Sequence, residues 1–137
     1  MADIVITSTS VVRDSSAEQP THGILGATVT AGQGVVQDPT SKLFVPADSN
    51  HATAALRAPD GIALNGGAIN QPVAVHKKGR ITIGGTVVAG TIYVQSDNPG
   101  GIAPAADLGA GETVTIIGVG ASATQIDVNI NKSGIQV

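Results

Sequence analysis

Short runs of β-branched residues, each cut off by Gly or Pro, recur along the whole chain, the pattern of many short strands joined by turns. The first run is Ile4-Val5-Ile6-Thr7, followed by Val11-Val12. A polar stretch over residues 13–21 separates it from Gly23-Ile24-Leu25-Gly26-Ala27-Thr28-Val29-Thr30. Period-two alternation returns over residues 71–76 and 113–119. It is clearest at Ile126-Asp127-Val128-Asn129-Ile130-Asn131, apolar to one face and polar to the other. One segment, near 49–57, reads as a short helix. Asp48-Ser49-Asn50 offers N-cap chemistry, residues 52–57 include good helix formers, and Pro59-Asp60-Gly61 stops it. The expectation is a mainly β protein, a compact barrel or sandwich. Residues 1–20 read as an extended N-terminal arm, a strand plus a mobile polar linker. Residues 21–137 read as a single β domain.

The pattern also repeats internally. Thr28-Val29-Thr30-Ala31-Gly32 returns as Thr86-Val87-Val88-Ala89-Gly90, an offset of 58 residues (90 − 32 = 58). Val36-Gln37 matches Val94-Gln95, and Leu43-Phe44-Val45-Pro46-Ala47 matches Gly101-Ile102-Ala103-Pro104-Ala105, both at that offset. Further on the register slips. Gly61-Ile62-Ala63 lies against Gly118-Val119-Gly120, and Gln71-Pro72-Val73-Ala74-Val75 against Gln125-Ile126-Asp127-Val128-Asn129. Sequences rich in Val, Thr and Gly align with themselves easily, but three matches at one offset favour a duplication. Two copies are too few for a solenoid. They fit two β-units, about 24–80 and 82–137, packed into one barrel or sandwich.

Composition narrows the function. The 137 residues include one Phe, one Tyr and no Trp, so the interior must be built from Val, Ile, Leu and Ala. Such a core is thin, and partner subunits are a natural source of further buried surface. Charged residues make up 12% and the formal net charge is −3, which supplies no basic field for nucleic acid. The absence of Cys removes disulfides, thiolate metal sites and cysteine nucleophiles together. No basic n-region follows Met1 and no long apolar stretch occurs, so neither a signal peptide nor a membrane span is expected.

Catalytic patterns are not conspicuous. His22, His51 and His76 share no ligand spacing, and most acids lie beside Pro, Gly, Ser or Asn, as at Asp38-Pro39 and Asp60-Gly61, where turn and cap chemistry explains them. No Gly-x-Ser-x-Gly elbow exists. Gly118-Val119-Gly120-Ala121-Ser122-Ala123 imitates a dinucleotide fingerprint, but an alternating strand follows where a helix is needed. The expectation is no enzyme, no catalytic residue, no cofactor and no metal. Two features suit a partner surface. His76-Lys77-Lys78-Gly79-Arg80 carries three of the seven formal positives and reads as a hairpin tip, either simply solvated or a basic knob for an acidic partner. Ile4-Val5-Ile6 reads either as a strand of the body or as an edge strand added to a neighbour. The interface candidates are therefore Ile4, Val5, Ile6, Val11, Val12, Arg13, His76, Lys77, Lys78 and Arg80.

The series Ala31-Gly32-Gln33, Gly61-Ile62-Ala63-Leu64-Asn65 and Gln71-Pro72 resembles the head decoration (capsid cement) proteins of tailed bacteriophages. So do Ala89-Gly90-Thr91-Ile92-Tyr93-Val94, Gly100-Gly101-Ile102-Ala103-Pro104 and Ala106-Asp107-Leu108-Gly109. The likeness covers roughly residues 24–137. It implies a β-rich structural protein on the outer surface of the expanded head, made in the host cytoplasm, whose partner is the major capsid protein. It further implies a homotrimer that bridges capsid subunits, with no nucleic-acid or membrane partner. The alternative is a glycan-binding or adhesive β-module of a tail or fibre, which would want aromatic platforms that Phe44 and Tyr93 alone supply poorly.

Overall fold

In the computed structural model, which describes residues 3–137, eleven strands are formed. They are β1 (Val12–Arg13), β2 (Thr21–Ile24), β3 (Gly34–Gln37), β4 (Phe44–Pro46), β5 (Gly61–Ala63), β6 (Pro72–His76), β7 (Lys78–Thr82), β8 (Ile92–Gln95), β9 (Ile102–Pro104), β10 (Thr113–Gly120) and β11 (Gln125–Gln136). Two sheets result, ordered β2-β6-β5-β3-β4 and β1-β7-β11-β10-β8-β9. All strand pairs within them are antiparallel. Set β1 aside, and the two sheets have the same strand order. Residues 21–76 build the first and residues 78–136 the second, so the units divide at Lys77 and not near residue 81.

The duplication holds to the residue in the central hairpins. β3 and β4 span positions that become β8 and β9 when shifted by the offset of Gly32 to Gly90. Val35 lies opposite Pro46, and Tyr93 lies opposite Pro104. Backbone conformation repeats too: φ is positive at Gly32 and Gly90, and again at Lys42 and Gly100. The final strand corrects the alignment read from sequence by one residue. Ile24 pairs with Pro72 and its counterpart Thr82 pairs with Gln125, so Pro72, not Gln71, matches Gln125. Hydrophobic burial explains why: this register matches buried Val73 and Val75 to buried Ile126 and Val128. The second unit also carries a bulge in β10, where Ile117 is the extra residue between two pairs with β8 and is fully buried.

Each unit has its own apolar centre. In the first, Leu25, Val29, Val35, Phe44, Ala63, Val73 and Val75 cluster. Their counterparts Ile83, Val87, Tyr93, Ile102, Ile126 and Val128 lie in the second cluster, joined there by Ile81 and Ile117. Ala31 and Ile62 of the first unit also enter the second cluster, as do Ile4 and Val11 from the N-terminal segment. Burial of these aliphatic side chains holds the units together at roughly 1.5–3 kcal/mol for each large one.

Polar bonds complete the junction between units. Gly34 N donates to Gly100 O (3.0 Å), Gly100 N to Ala47 O (2.7 Å) and Thr113 N to Ser49 O (2.8 Å). The buried Gln95 amide donates to Ala47 O (2.8 Å), in space that a Cβ at Gly34 would occupy. Ser49 Oγ donates to the buried Glu112 carboxylate (2.9 Å), and Lys132 pairs with Asp60.

Three expectations change. The helix near 49–57 is only a single 3-10 turn at Ala54–Leu56. Its run of Ala and Thr is exposed, with no apolar stripe to pack. The basic cluster is no hairpin tip, because β6 and β7 belong to different sheets and the chain crosses between units at Lys77. The N-terminal segment, as far as it is described, lies on its own body. Ile4 N donates to Ile102 O (2.8 Å), Thr7 N to Ile83 O (3.1 Å), Asp14 N to Arg80 O (2.9 Å) and Glu18 N to Lys78 O (3.2 Å). Met1 and Ala2, the first two residues of the expected arm, fall outside the described residues.

Candidate interaction face

Strand alternation sorts the interface candidates into two groups. Ile4 and Val11 point into the second core, and Ile6 packs against it. His76 is fully buried, with Nε2 2.8 Å from Gly79 O and Nδ1 without a hydrogen-bond partner. Ile4, Val11 and His76 thus belong to the interior, while half-buried Ile6 packs on the core with part of its side chain open. Val5, Val12, Lys77, Lys78 and Arg80 are exposed, and Arg13 is half-buried, its guanidinium donating to Ala17 O (3.3 Å).

Three of the exposed candidates come together. Val12 pairs with Thr82 on β7, and Lys78, Arg80 and Thr82 alternate to one side of that strand. Arg80 lies opposite Asp127, Asp127 opposite Val119, and Val119 opposite Ile92. A single row thus crosses four strands on the outer face of the six-stranded sheet: a cation, an anion, then two aliphatic side chains 42% and 45% exposed. Val88 stands exposed near its apolar end, where Gly90 N donates to Gly120 O (2.8 Å) and Thr91 N to Val88 O (3.2 Å). Sequence reading missed Ile92 and Val119. The available signal was the repeat itself, since the position matching Val119 in the first unit is Ile62, which is buried. In unit one this face is covered by unit two; in unit two it is open.

Charge at the β1 end of the face is fixed locally. Ser16 N–H and Ser16 Oγ–H donate to the Asp14 carboxylate (2.9 and 2.7 Å). These bonds, with help from the Arg80 charge, hold the Asp14 carboxyl below its ordinary value.

Other places offer less. An open cleft of about 260 Å³ lies beside the N-terminal segment, lined by Asp3, Ile6, Ser8, Gln33 and Pro99 among others. Asp3 is its one carboxylate, and it accepts from Ser96 Oγ (2.5 Å) and Asn98 Nδ2 (3.1 Å). Among the described residues no three His, Cys, Asp or Glu side chains converge as metal ligands. His22 is exposed on β2, and His51 Nδ1 accepts from Thr53 N (2.9 Å). Phe44 and Tyr93 are both buried, and Tyr93 Oη accepts from Val88 N (2.8 Å), so neither ring forms an exposed stacking platform. Among the described residues no helix is long and apolar enough to cross a membrane. No protein-family model matches the chain, and no curated protein matches it.

Proposed function

We propose that this chain is a structural protein that binds the outer surface of an expanded bacteriophage head and stabilises it by bridging subunits of the major capsid protein. The observation that carries this reading is the open sheet face, with its row from Arg80 through Asp127 and Val119 to Ile92. Such a row offers apolar area for burial and a charged end for orientation, as protein interfaces do. The likeness of the glycine and strand motifs over residues 24–137 to head decoration proteins supplies the partner. Two fused units with a shared junction make a stiff block, which suits bridging. A ligand that binds the expanded shell and not its precursor shifts the balance toward the expanded state by ordinary linkage. A trimer engaging several sites would gain further from effective concentration. The glycan-binding alternative is less favoured because both aromatic rings lie in the interior and offer no stacking platform.

Co-sedimentation with cognate heads stripped of this protein tests the reading. Saturable binding to expanded heads, with none to unexpanded shells, is expected. Equal binding to both, or to neither, contradicts it.

A further inference from the structure

The two units also differ in how each sheet closes, and that difference defines a second binding site. In the first unit the sheet closes on itself. Leu25, just past β2, forms a parallel bridge with Phe44 of β4, and Gly26 N donates to Phe44 O (2.7 Å). Gly23 permits this, because a Cβ there would overlap the Phe44 ring. In the second unit position 23 becomes Ile81, a bulky core residue, and Phe44 becomes Ile102. Here the chain's own residues 4–7 run between the two edges. Ile102 O accepts from Ile4 N, Ile83 O from Thr7 N, and Gly84 O from Thr7 Oγ1 (2.6 Å).

The slot is lined for backbone. A Cβ at Gly85 would overlap the Val5 carbonyl oxygen, one at Gly101 the Asp3 carboxylate, and one at Gly32 the Ile6 side chain. At Gly84 it would come within 2.8 Å of Ser10 Cβ. Four glycines therefore shape a channel for one extended strand, anchored by buried Ile4 and by the Asp3 bonds to Ser96 and Asn98.

We propose that this slot is a strand-acceptor site for the N-terminal segment of a second copy of this chain, so that adjacent copies exchange residues 3–18. The occupant takes its backbone bonds from the second unit, at Ile102, Ile83, Arg80 and Lys78. It passes to the first unit through exposed Gln19 and through Pro20, where it leaves β7 for β2. Exchange about that hinge replaces each intrachain contact by the same contact between copies, so contact energy scarcely opposes it. Concentration then decides. A tethered segment sees its own slot at an effective concentration on the order of millimolar, so dilute chains remain closed. Crowded copies exchange. Exchange does not depend on capsid binding.

Because the chain lacks cysteine, disulfide trapping reads exchange directly. Two single variants, Asp3→Cys and Asn98→Cys, are mixed at high concentration, incubated and oxidised. Exchange predicts a covalent heterodimer linked between positions 3 and 98 by peptide mapping, its yield rising with protein concentration before oxidation. The double variant Asp3→Cys/Asn98→Cys, oxidised when dilute, should give a monomer bridged within one chain. No mixed heterodimer alongside efficient bridging of the double variant would overturn the proposal. Sedimentation equilibrium of the unmodified chain is an independent readout. A dimer or closed ring of copies that grows with concentration and disappears when residues 1–18 are deleted is expected, and a monomer at every concentration into the millimolar range would overturn it.

Discussion

Ile62 and Ala63 are neighbours in one strand but belong to different cores. Ala63 lies in the first unit's cluster, and Ile62 reaches into the second. The strand alternation that directs them to opposite faces makes β5 the element shared between units. Ile62→Ala should therefore weaken the junction and the second core together, costing about 2–5 kcal/mol. Ile92→Ala, at an open position, should fall within about 0.5 kcal/mol of the parent. Urea denaturation of both variants measures the contrast, and similar costs would contradict the assignment of Ile62 to the interior and Ile92 to the open face.

The buried carboxylate of Glu112 accepts from Ser49 Oγ (2.9 Å) and from Gly109 N (2.5 Å). Glu112→Ala leaves both donors without their acceptor in a largely dry place. The expected cost is about 1–3 kcal/mol. The same denaturation experiment checks it, and a change below about 0.5 kcal/mol would show that water replaces the carboxylate freely.

Gly85 is crossed so closely by the Val5 carbonyl that even a methyl group must displace it. Gly85→Ala should lift residues 4–7 out of the slot and destabilise the chain by about 1–3 kcal/mol. Hydrogen exchange gives the sharper reading. The Ile4 and Thr7 amides, which donate to Ile102 O and Ile83 O, should lose protection before the amides of β10 and β11 do. Unchanged protection at Ile4 and Thr7 would contradict the placement of the segment.

Asp14 offers a pH test. Its folded-state carboxyl is held below the ordinary 3.8, mainly by the Ser16 backbone bond. A depressed carboxylate contributes stability that is full above the unfolded value and is lost as pH falls through the folded one. An NMR titration should therefore place the Asp14 midpoint under 3.8, with the Glu18 amide losing protection relative to its intrinsic exchange rate as that midpoint is crossed. A midpoint at or above 3.8 would mean that the Ser16 bonds do not persist in solution.

Much of this fold can be read from residue order. The offset from Gly32 to Gly90 locates both hairpins and their turns, because a positive φ and a two-residue alternation leave a plain mark on composition. The failures have physical causes as well. Residues 13–20 look like a linker because they are polar. Their docking uses backbone bonds to Lys78 and Arg80, which side-chain chemistry does not announce. His76 looks like part of a basic tip because three cations follow it, yet one residue, Lys77, takes the chain from one sheet to the other and leaves His76 inside. Val12, Lys78 and Arg80 were legible as surface candidates. Ile92 and Val119 were not, since alternation alone cannot tell an open apolar face from a covered one.

The most direct test of the proposed role is quantitative co-sedimentation with stripped, expanded heads, comparing the parent chain with Ile92→Glu/Val119→Lys. Both positions are open, and the substitutions set opposite charges against each other along the row from Asp127, so the variant should keep the parent's denaturation midpoint within experimental error. Saturable binding by the parent and at least a tenfold loss of affinity in the variant are expected. Undiminished binding by the variant would contradict the assignment of this face, and failure of the parent to bind expanded heads would contradict the role itself.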